Sequence, residues 1–356
     1  MTCPTWSRWE TRRPICGAYH PHMIALPRSR VPEPLTAPPL RWGFSAPGGI
    51  ASTMAATMHA NSTQRVVAVA SRSQERADAF AREFGVDRAY DDLAAMCADP
   101  TVDAVYVASP HSGHLEQALV AIEAGKHVLV EKAFTVDAAQ ARQLVEAAQR
   151  HNVTCMEAMW TRFLPGTDVV RQLLADGALG DLEAVYADHG QWFPYDPQHR
   201  LFNPDLAGGA LLDLGIYPVS FAAFVLGTDL RLRASGRPAP TGVDGHVSIV
   251  ATRGNATAVL DTTLFARTPT TASISGTRAR LEFAADFYTP TPISLITRDR
   301  ETATIDPGPL HRHEGLVYEA THFAQLVADD RRESPLLPLA QTVEIMDLLD
   351  EIRRQL

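Results

Sequence analysis

Of the 32 basic residues in this 356-residue chain only two are lysines, Lys126 and Lys132, and both fall between Gly125 and Lys132. Arginine stays charged throughout, whereas an ammonium shifts its pKa with its surroundings and takes part in proton transfer. Coding bias toward arginine accounts for the scarcity of lysine. It leaves open what an ammonium does at these two places that a guanidinium cannot. Lys126, directly after Gly125, reads as a cation at a helix C-terminus; Lys132 has no such simple place.

A second group of residues suits phosphate. Ala46-Pro47-Gly48-Gly49-Ile50-Ala51 joins an apolar run to a helical run, where the turn G-x-G-x-x-G/A of a dinucleotide site belongs. Ala46 stands at the first glycine, and Gly48 and Ala51 fill the second and third places. In such a turn the backbone approaches a pyrophosphate and the helix N-terminus faces its charge. The next strand ends in Ser71-Arg72-Ser73, with Arg76 one turn further on, and carries no acid for a ribose 2′-hydroxyl. Ser71, Arg72 and Arg76 instead complement a 2′-phosphate through charge-assisted hydrogen bonds. NADP(H) is therefore expected over NAD(H). The competing reading makes both arginines solvated charges paired with Glu75 or Asp78.

The elements that must hold these groups follow from hydrophobic periodicity. Strands are expected over 40–46, 65–71, 102–109, 127–132 and 153–158, with helices over 50–60, 73–85, 112–124 and 137–151 between them. Nearly continuous apolar strands alternating with helices give a doubly wound parallel sheet covered on both faces. After residue 158 the pattern becomes α+β. Helices are expected over 164–175, 208–227, 314–329 and 339–354, and strands over 182–190, 246–254, 256–265, 271–277 and 279–284. Their alternation implies antiparallel pairing with one open face. The expected division is a nucleotide-binding domain over 40–158 and a substrate and dimerisation domain over 159–356. Residues 1–39 hold eight of the 25 prolines without periodicity, and Met23 offers a second start. That segment is expected to be disordered, or a non-native extension outside the fold.

Bulk properties narrow the partners. A net charge of −9 without any basic run argues against nucleic acid or an anionic membrane. No apolar run approaches membrane-spanning length, and no apolar signal core follows the N-terminus. Cys3, Cys16, Cys97 and Cys155 lack metal or redox spacing, so reduced thiols and a cytoplasmic location are expected. His111 and His114 are three apart but bring no further ligands, and no metal site is expected.

Together, WGFSAPGGIA, VASPHSGHLEQALVAIEAGKHVLVEKAF, EAMWTRFLP and HRLFNPDLAGGALLDLGIYPVSF resemble the glucose-fructose oxidoreductase and inositol dehydrogenase (Gfo/Idh/MocA) family. The likeness is greatest to its branch of dimeric trans-1,2-dihydrodiol and D-xylose dehydrogenases, and it covers 40–356. It implies hydride transfer between NAD(P) and a CH–OH carbon of a pyranose or cyclic trans-diol, and a homodimer through the C-terminal sheet. Two departures stand out: Glu131-Lys132-Ala133 lacks the family's frequent proline, and the glycine turn carries Ala46 and Pro47.

The resemblance implies roles residue by residue. Lys132 is the family's lysine, and Asp213 and Tyr217, four apart on one helix, supply the other reacting groups. Ser109, Pro110, His111 and Glu131 would border the nicotinamide end of the cofactor. Trp160, Arg162, Phe163 and Arg200 would border the substrate. A free phenol, with a pKa of about 10, is a poor base near neutrality. Lys132 is expected to lower the pKa of Tyr217 so that it can carry the proton; the reverse assignment, with Lys132 as carrier, stays open. Asp213 would orient a substrate hydroxyl or hold Lys132. Two other readings remain: a non-catalytic NADP-binding sensor, and an oxidoreductase whose NADP never exchanges.

Overall fold

The computed structural model describes residues 25–356. In the first half, β1 (Arg41–Ser45), β2 (Arg65–Ala70), β3 (Arg88–Tyr90), β4 (Ala104–Val107), β5 (His127–Glu131) and β6 (Cys155–Ala158) form one sheet. Its order is β3-β2-β1-β4-β5-β6, all parallel. Helices α1 (Gly49–Asn61), α2 (Gln74–Phe84), α3 (Leu93–Ala98), α4 (His114–Glu123) and α5 (Ala138–His151) make the connections. Every residue of β4 and β6 is buried, as a sheet covered on both faces requires. Side chains fix the helix starts: Ser73 accepts from the Arg76 N–H and Asp137 from the Gln140 N–H at 2.8 Å. The strand order reverses between β1 and β4, which opens a crevice at their C-terminal ends.

The second half adds α6 (Pro165–Ala175) and the strands β7 (Leu182–Gly190), β8 (Arg231–Pro238), β9 (Asp244–Arg253) and β10 (Ala256–Thr263), with α7 (Ile216–Leu226) between β7 and β8. The strands β11 (Ala272–Gly276), β12 (Ala279–Phe283), β13 (Ile293–Thr297) and β14 (Thr302–Ile305) complete a sheet of order β14-β13-β12-β11-β7-β10-β9-β8. The pairing is mostly antiparallel, as expected, with β7 and β10 running parallel at the centre. Parallel neighbours need a crossover, and α7, packed on both strands, supplies it. One face is covered: Val247, Ile249 and Ala251 of β9 point inward, while Val250 points to solvent. A one-residue slip would exchange the two sets at about 2 kcal/mol for each large aliphatic moved, so the register is pinned.

Short elements escaped the periodicity. β3, α3, β8, β13 and β14 are too brief or too polar to show a period, and none was expected. The last helices, α8 (Leu316–Ala328) and α9 (Leu339–Arg354), pack back on α1, α5 and β6, so the chain after residue 159 serves both halves.

Residues 25–39 are part of the fold, against expectation; residues 1–24 lie outside the described residues. Asp168 at the start of α6 accepts from the Arg30 backbone N–H at 2.8 Å and from its guanidinium at 3.0 Å. Leu26 and Val31 pack on the core, and the turn Pro34–Thr36 lies on α8. Proline-rich extended chain has no period of its own, yet side-chain anchors on a folded partner hold it. The segment Pro204–Leu226 is long and apolar enough to cross a membrane, but 83% of its apolar window is buried inside the protein.

Candidate active site

The crevice between the halves is a cleft of about 1270 Å³, more than a single small ligand fills. At one end lie Ser71, Arg72 and Arg76, with Asp91 and Asp92 after the neighbouring β3; Gly48, Gly49 and Ile50 also line the cleft, as do Ser109, Pro110 and His111. The far end is lined by Glu131, Lys132, Trp160, Arg200, Asp213 and Tyr217. Sequence-expected residues from seven separate stretches thus share one cleft.

The turn after β1 is shaped to admit a ligand. Ala46 adopts φ +60°, the left-handed region that favours glycine. Gly48 precedes the first turn of α1, and a Cβ built on Gly49 would meet nothing within 4 Å, so the backbone faces open space. Ala51 does not face the cleft; it is fully buried beneath the turn, where a small residue lets helix and strand pack closely. Arg76 donates to the Pro47 carbonyl at 3.2 Å, which ties α2 to the turn. Among the described residues neither Arg72 nor Arg76 pairs with Glu75 or Asp78, and Asp78 is engaged by Gln74 at 2.8 Å. Ser109 Oγ is buried at the mouth of β4 without a partner among the described residues. An open backbone turn at a helix N-terminus, two arginines and an orphan hydroxyl together fit a dinucleotide.

The helix expected over 208–227 is interrupted. Leu211–Gly215 forms a π turn before α7, and Pro218 is its visible signal. Lacking an N–H, Pro218 leaves the Leu214 carbonyl without its α-helical donor. Upstream, Gly209 sits at φ +124°, where a Cβ would lie 2.3 Å from Asp244 Oδ1. Asp244 uses its other oxygen to accept from the Leu211 N–H at 2.5 Å. These constraints aim Asp213 and Tyr217 into the cleft.

Lys132, at the end of β5, donates to the Asp213 carbonyl at 2.8 Å and to its carboxylate at 3.2 Å. Arg200 reaches the same carboxylate at 3.1 and 3.4 Å. Burial opposes ionisation of Asp213, but Lys132 and Arg200 outweigh it and hold the carboxyl far below its usual range. Lys132 Nζ stands 5.1 Å from the centroid of the Tyr217 ring.

The expected lowering of the Tyr217 pKa is not found. Burial pushes the phenol well above its usual value, and the nearby Glu131 and Asp213 carboxylates add to the shift. The ammonium lies against the ring and is bonded to Asp213, so its field is largely answered there. Tyr217 Oη accepts from the Trp160 indole N–H at 3.1 Å, which leaves its own hydroxyl hydrogen to donate elsewhere.

Arg162 and Phe163 are not cleft residues. Arg162, 3% exposed, donates to the Ser220 hydroxyl at 3.1 Å, the Ser220 carbonyl at 2.9 Å and Gln341 at 3.1 Å, pinning α7 to α9. Phe163 stacks on His322 of α8. Lys126 also differs from expectation: its ammonium binds the carbonyls of Asp99 at 2.9 Å and Val102 at 2.7 Å, beyond the end of α3, not the end of its own helix.

Sequence reasoning missed an aromatic wall. His189 at the end of β7 stacks on Tyr288 with ring centroids 4.5 Å apart, Tyr217 lies 4.9 Å from Tyr288, and Trp160 stacks on His313 at 5.7 Å. The position of His189 at a strand end was a legible hint; Tyr288, in an irregular loop, gave none. Burial lowers the pKa of His189 to about 4 and that of His111 to about 3, so both rings are neutral near pH 7.

Comparison with known proteins gives a consistent result. Residues 42–159 match the model of an oxidoreductase family with an NAD-binding Rossmann fold, and residues 167–282 match the GFO/IDH/MocA C-terminal domain. The chain is 36% identical to a D-xylose 1-dehydrogenase (NADP(+)) of Hypocrea jecorina, across 89% of this chain and 92% of that protein. It is 33% identical to the human trans-1,2-dihydrobenzene-1,2-diol dehydrogenase, across 88% and 96%. Among solved structures it resembles the 3-ketoreductase KijD10 of Actinomadura kijaniata, in complex with NADP and TDP-benzene. That match has a TM-score of 0.78 and 28% identity, and covers 89% of this chain and 98% of that one.

The Lys132–Asp213 pair should be measurable without any ligand. Removing one member strands a mostly buried charge, so Asp213→Asn should lower Tm by about 3–6 °C. Adding Lys132→Met should restore more than half of the loss, whereas strict additivity in this double-mutant cycle would show the pair to be uncoupled. A depressed carboxyl pKa gives stability that is present above the unfolded value and lost as pH falls through the folded one. The cycle should therefore read the same at pH 8 as at pH 6.

Proposed function

Because the chain belongs to the Gfo/Idh/MocA oxidoreductase family, we propose that it is an NADP(H)-dependent dehydrogenase acting on a CH–OH carbon of a pyranose or cyclic trans-diol. Hydride exchange is the chemistry the nicotinamide supplies when bound. The chain's own residues orient the two reactants and handle the proton.

The observation that carries this reading is the hydroxyl of Tyr217. Its oxygen is occupied by the Trp160 indole, so its hydrogen is free to bond the substrate oxygen. In the reducing direction the neutral phenol donates this proton to the oxygen as hydride arrives, and the Trp160 indole N–H, already bonded to the phenol oxygen, stabilises the phenolate left behind. In the oxidising direction the phenolate must form first, which the raised pKa opposes. Asp213 holds Lys132 and Arg200 in place. The aromatic wall of Trp160, His189 and Tyr288 offers a ring-shaped substrate its apolar faces.

The sign of the pH dependence follows. Oxidation should rise with pH through the alkaline range, by up to about tenfold per pH unit below the phenol's pKa, while reduction stays level near neutrality. Tyr217→Phe should fold and bind cofactor yet lose about 10²–10⁴-fold in turnover; unimpaired turnover would move the proton transfer elsewhere.

Arg72 and Arg76, neither of which pairs with an acid among the described residues, support the choice of NADP(H). Arg72→Ala should weaken NADPH about tenfold, the loss of a charge-assisted bond, and leave NADH unchanged by fluorescence titration. Equal tightness for both nucleotides in the parent protein would remove that role.

The open face of the eight-stranded sheet is our candidate for a homodimer interface. Tyr186, Val250 and Val259 are exposed on it at 52%, 43% and 41%. Sedimentation of a Val250→Glu, Val259→Glu variant should give a monomer where the parent gives a dimer; a parent that is itself monomeric would end this assignment.

A further inference from the structure

The extended chain of β7 runs on past Gly190. Gln191 donates its backbone N–H to the Thr263 carbonyl at 3.0 Å, and Phe193 donates to that of Leu264 at 3.1 Å. Side chains alternate along such a chain. Val185, Ala187 and His189 are buried on the covered face while Tyr186 is exposed on the other. Gln191 follows His189 on the covered side, and both line the cleft with Lys132, Asp213 and Tyr217. The backbone here is closely held. The His189 carbonyl accepts from the Thr262 hydroxyl at 3.0 Å, the Gly190 N–H donates to the Thr268 hydroxyl at 2.8 Å, and a Cβ on Gly190 would lie 2.5 Å from Thr268 Cγ2.

His189 orients the amide of Gln191. Its ring, 1% exposed, is stacked on Tyr288 and lies 5.2 Å from the ring of Tyr217, so it cannot turn without displacing both. Gln191 Nε2 stands 3.0 Å from His189 Nε2. Burial keeps this imidazole neutral near pH 7, and a neutral imidazole accepts at one nitrogen and carries its proton on the other. Nδ1 is buried and closes no hydrogen bond among the described residues, yet the Leu214 carbonyl is near enough to favour a proton on the ring. The amide therefore donates to Nε2, and its oxygen is left to face the cleft. Other acceptors at this end are already served: Asp213 by Lys132 and Arg200, Tyr217 by Trp160, and Glu131 by Tyr106 and the Lys132 N–H. Gln191 Oε1 receives no hydrogen bond among the described residues.

We propose that Gln191 is a specificity-determining residue whose side-chain oxygen accepts from a hydroxyl on the carbon next to the reacting one, so that substrates with two neighbouring hydroxyls are selected over those with one. The proposal rests on the reading above, in which Tyr217 bonds the reacting oxygen. Tyr217 and Gln191 both adjoin His189, and a ring that meets the phenol with one oxygen brings the neighbouring oxygen toward the amide. An analogue without that second hydroxyl leaves the amide oxygen covered and unpaired, which costs affinity. The bond is made alike before and during hydride transfer, so its loss belongs in KM and not in kcat.

NADP⁺ reduction is measured with two substrate pairs, trans-cyclohexane-1,2-diol against cyclohexanol and D-glucose against 2-deoxy-D-glucose. The parent should favour the dihydroxy member of a pair by at least about tenfold in kcat/KM. Gln191→Leu should cut that preference about tenfold, mainly through a higher KM for the dihydroxy member. Gln191→Glu, which keeps an oxygen acceptor, should retain at least about half of the preference. His189→Phe keeps a stacked ring but removes the nitrogen that orients the amide; it should cut the preference at least about threefold, and the double variant should lose no more than Gln191→Leu alone. A preference unchanged in Gln191→Leu, or lost equally in Gln191→Glu, overturns the proposal and leaves the dehydrogenase reading standing. A parent that turns over neither pair overturns the two together. Thermal unfolding checks that each variant folds, and if His189→Phe does not, the two Gln191 variants decide.

Discussion

One ion pair joins the two halves of this molecule at the point where they must cooperate. Lys132 ends a strand of the parallel sheet, Asp213 lies in the π turn that precedes the crossover helix of the other sheet, and the ammonium bonds both the carboxylate and the carbonyl of that aspartate. Neither sheet alone makes a complete site. The parallel sheet brings the open turn at Gly48 and Gly49, and the second half brings the phenol, the aromatic wall and Arg200. A guanidinium at position 132 would present a wide planar fork where a compact donor meets a carbonyl and a carboxylate on one residue.

That pair also sets the electrical character of the cleft. Asp213 is answered twice, by Lys132 and Arg200; it still favours protonation of the neighbouring imidazoles, but burial outweighs it and keeps them neutral. The phenol stays protonated for the same reason of burial, with Glu131 behind it. The site therefore rests with its donors charged and its rings neutral, an arrangement suited to meeting a carbonyl oxygen.

Much of this was legible in the sequence, for physical reasons that also mark the limits. Five of the six parallel strands and four of their five helices announced themselves through apolar runs and amphipathic spacing, and β7 and α9 were delimited to the residue. Lys132 was marked by its rarity, and Asp213 and Tyr217 by resemblance to known sequences. What failed depended on partners far away in the chain. Arg162 and Phe163 directly follow the last parallel strand, yet Ser220, Gln341 and His322 claim them. The proline-rich segment at 25–39 has no period, and distant partners such as Asp168, some 140 residues later, hold it in place. The field on Tyr217 was misjudged because sequence spacing shows that a lysine is near, but not that an aspartate already holds it.

The π turn at Leu211–Gly215 has a bearing on how this chain tolerates insertions and deletions. A π turn carries one more residue than the α turn it replaces, and each helical residue accounts for about 100° of rotation. Loss of any single residue between Ala210 and Ile216 would let an ordinary helix form at little cost in packing propensity. It would also turn the residues before the gap by about 100° about the helix axis relative to those after it, and so break the contacts of Asp213 with Lys132 and Arg200 or that of Tyr217 with Trp160. The length of this short segment is thus under tighter restraint than most of its side chains, and a frame-preserving loss of one codon here would leave a folded protein with a scattered site.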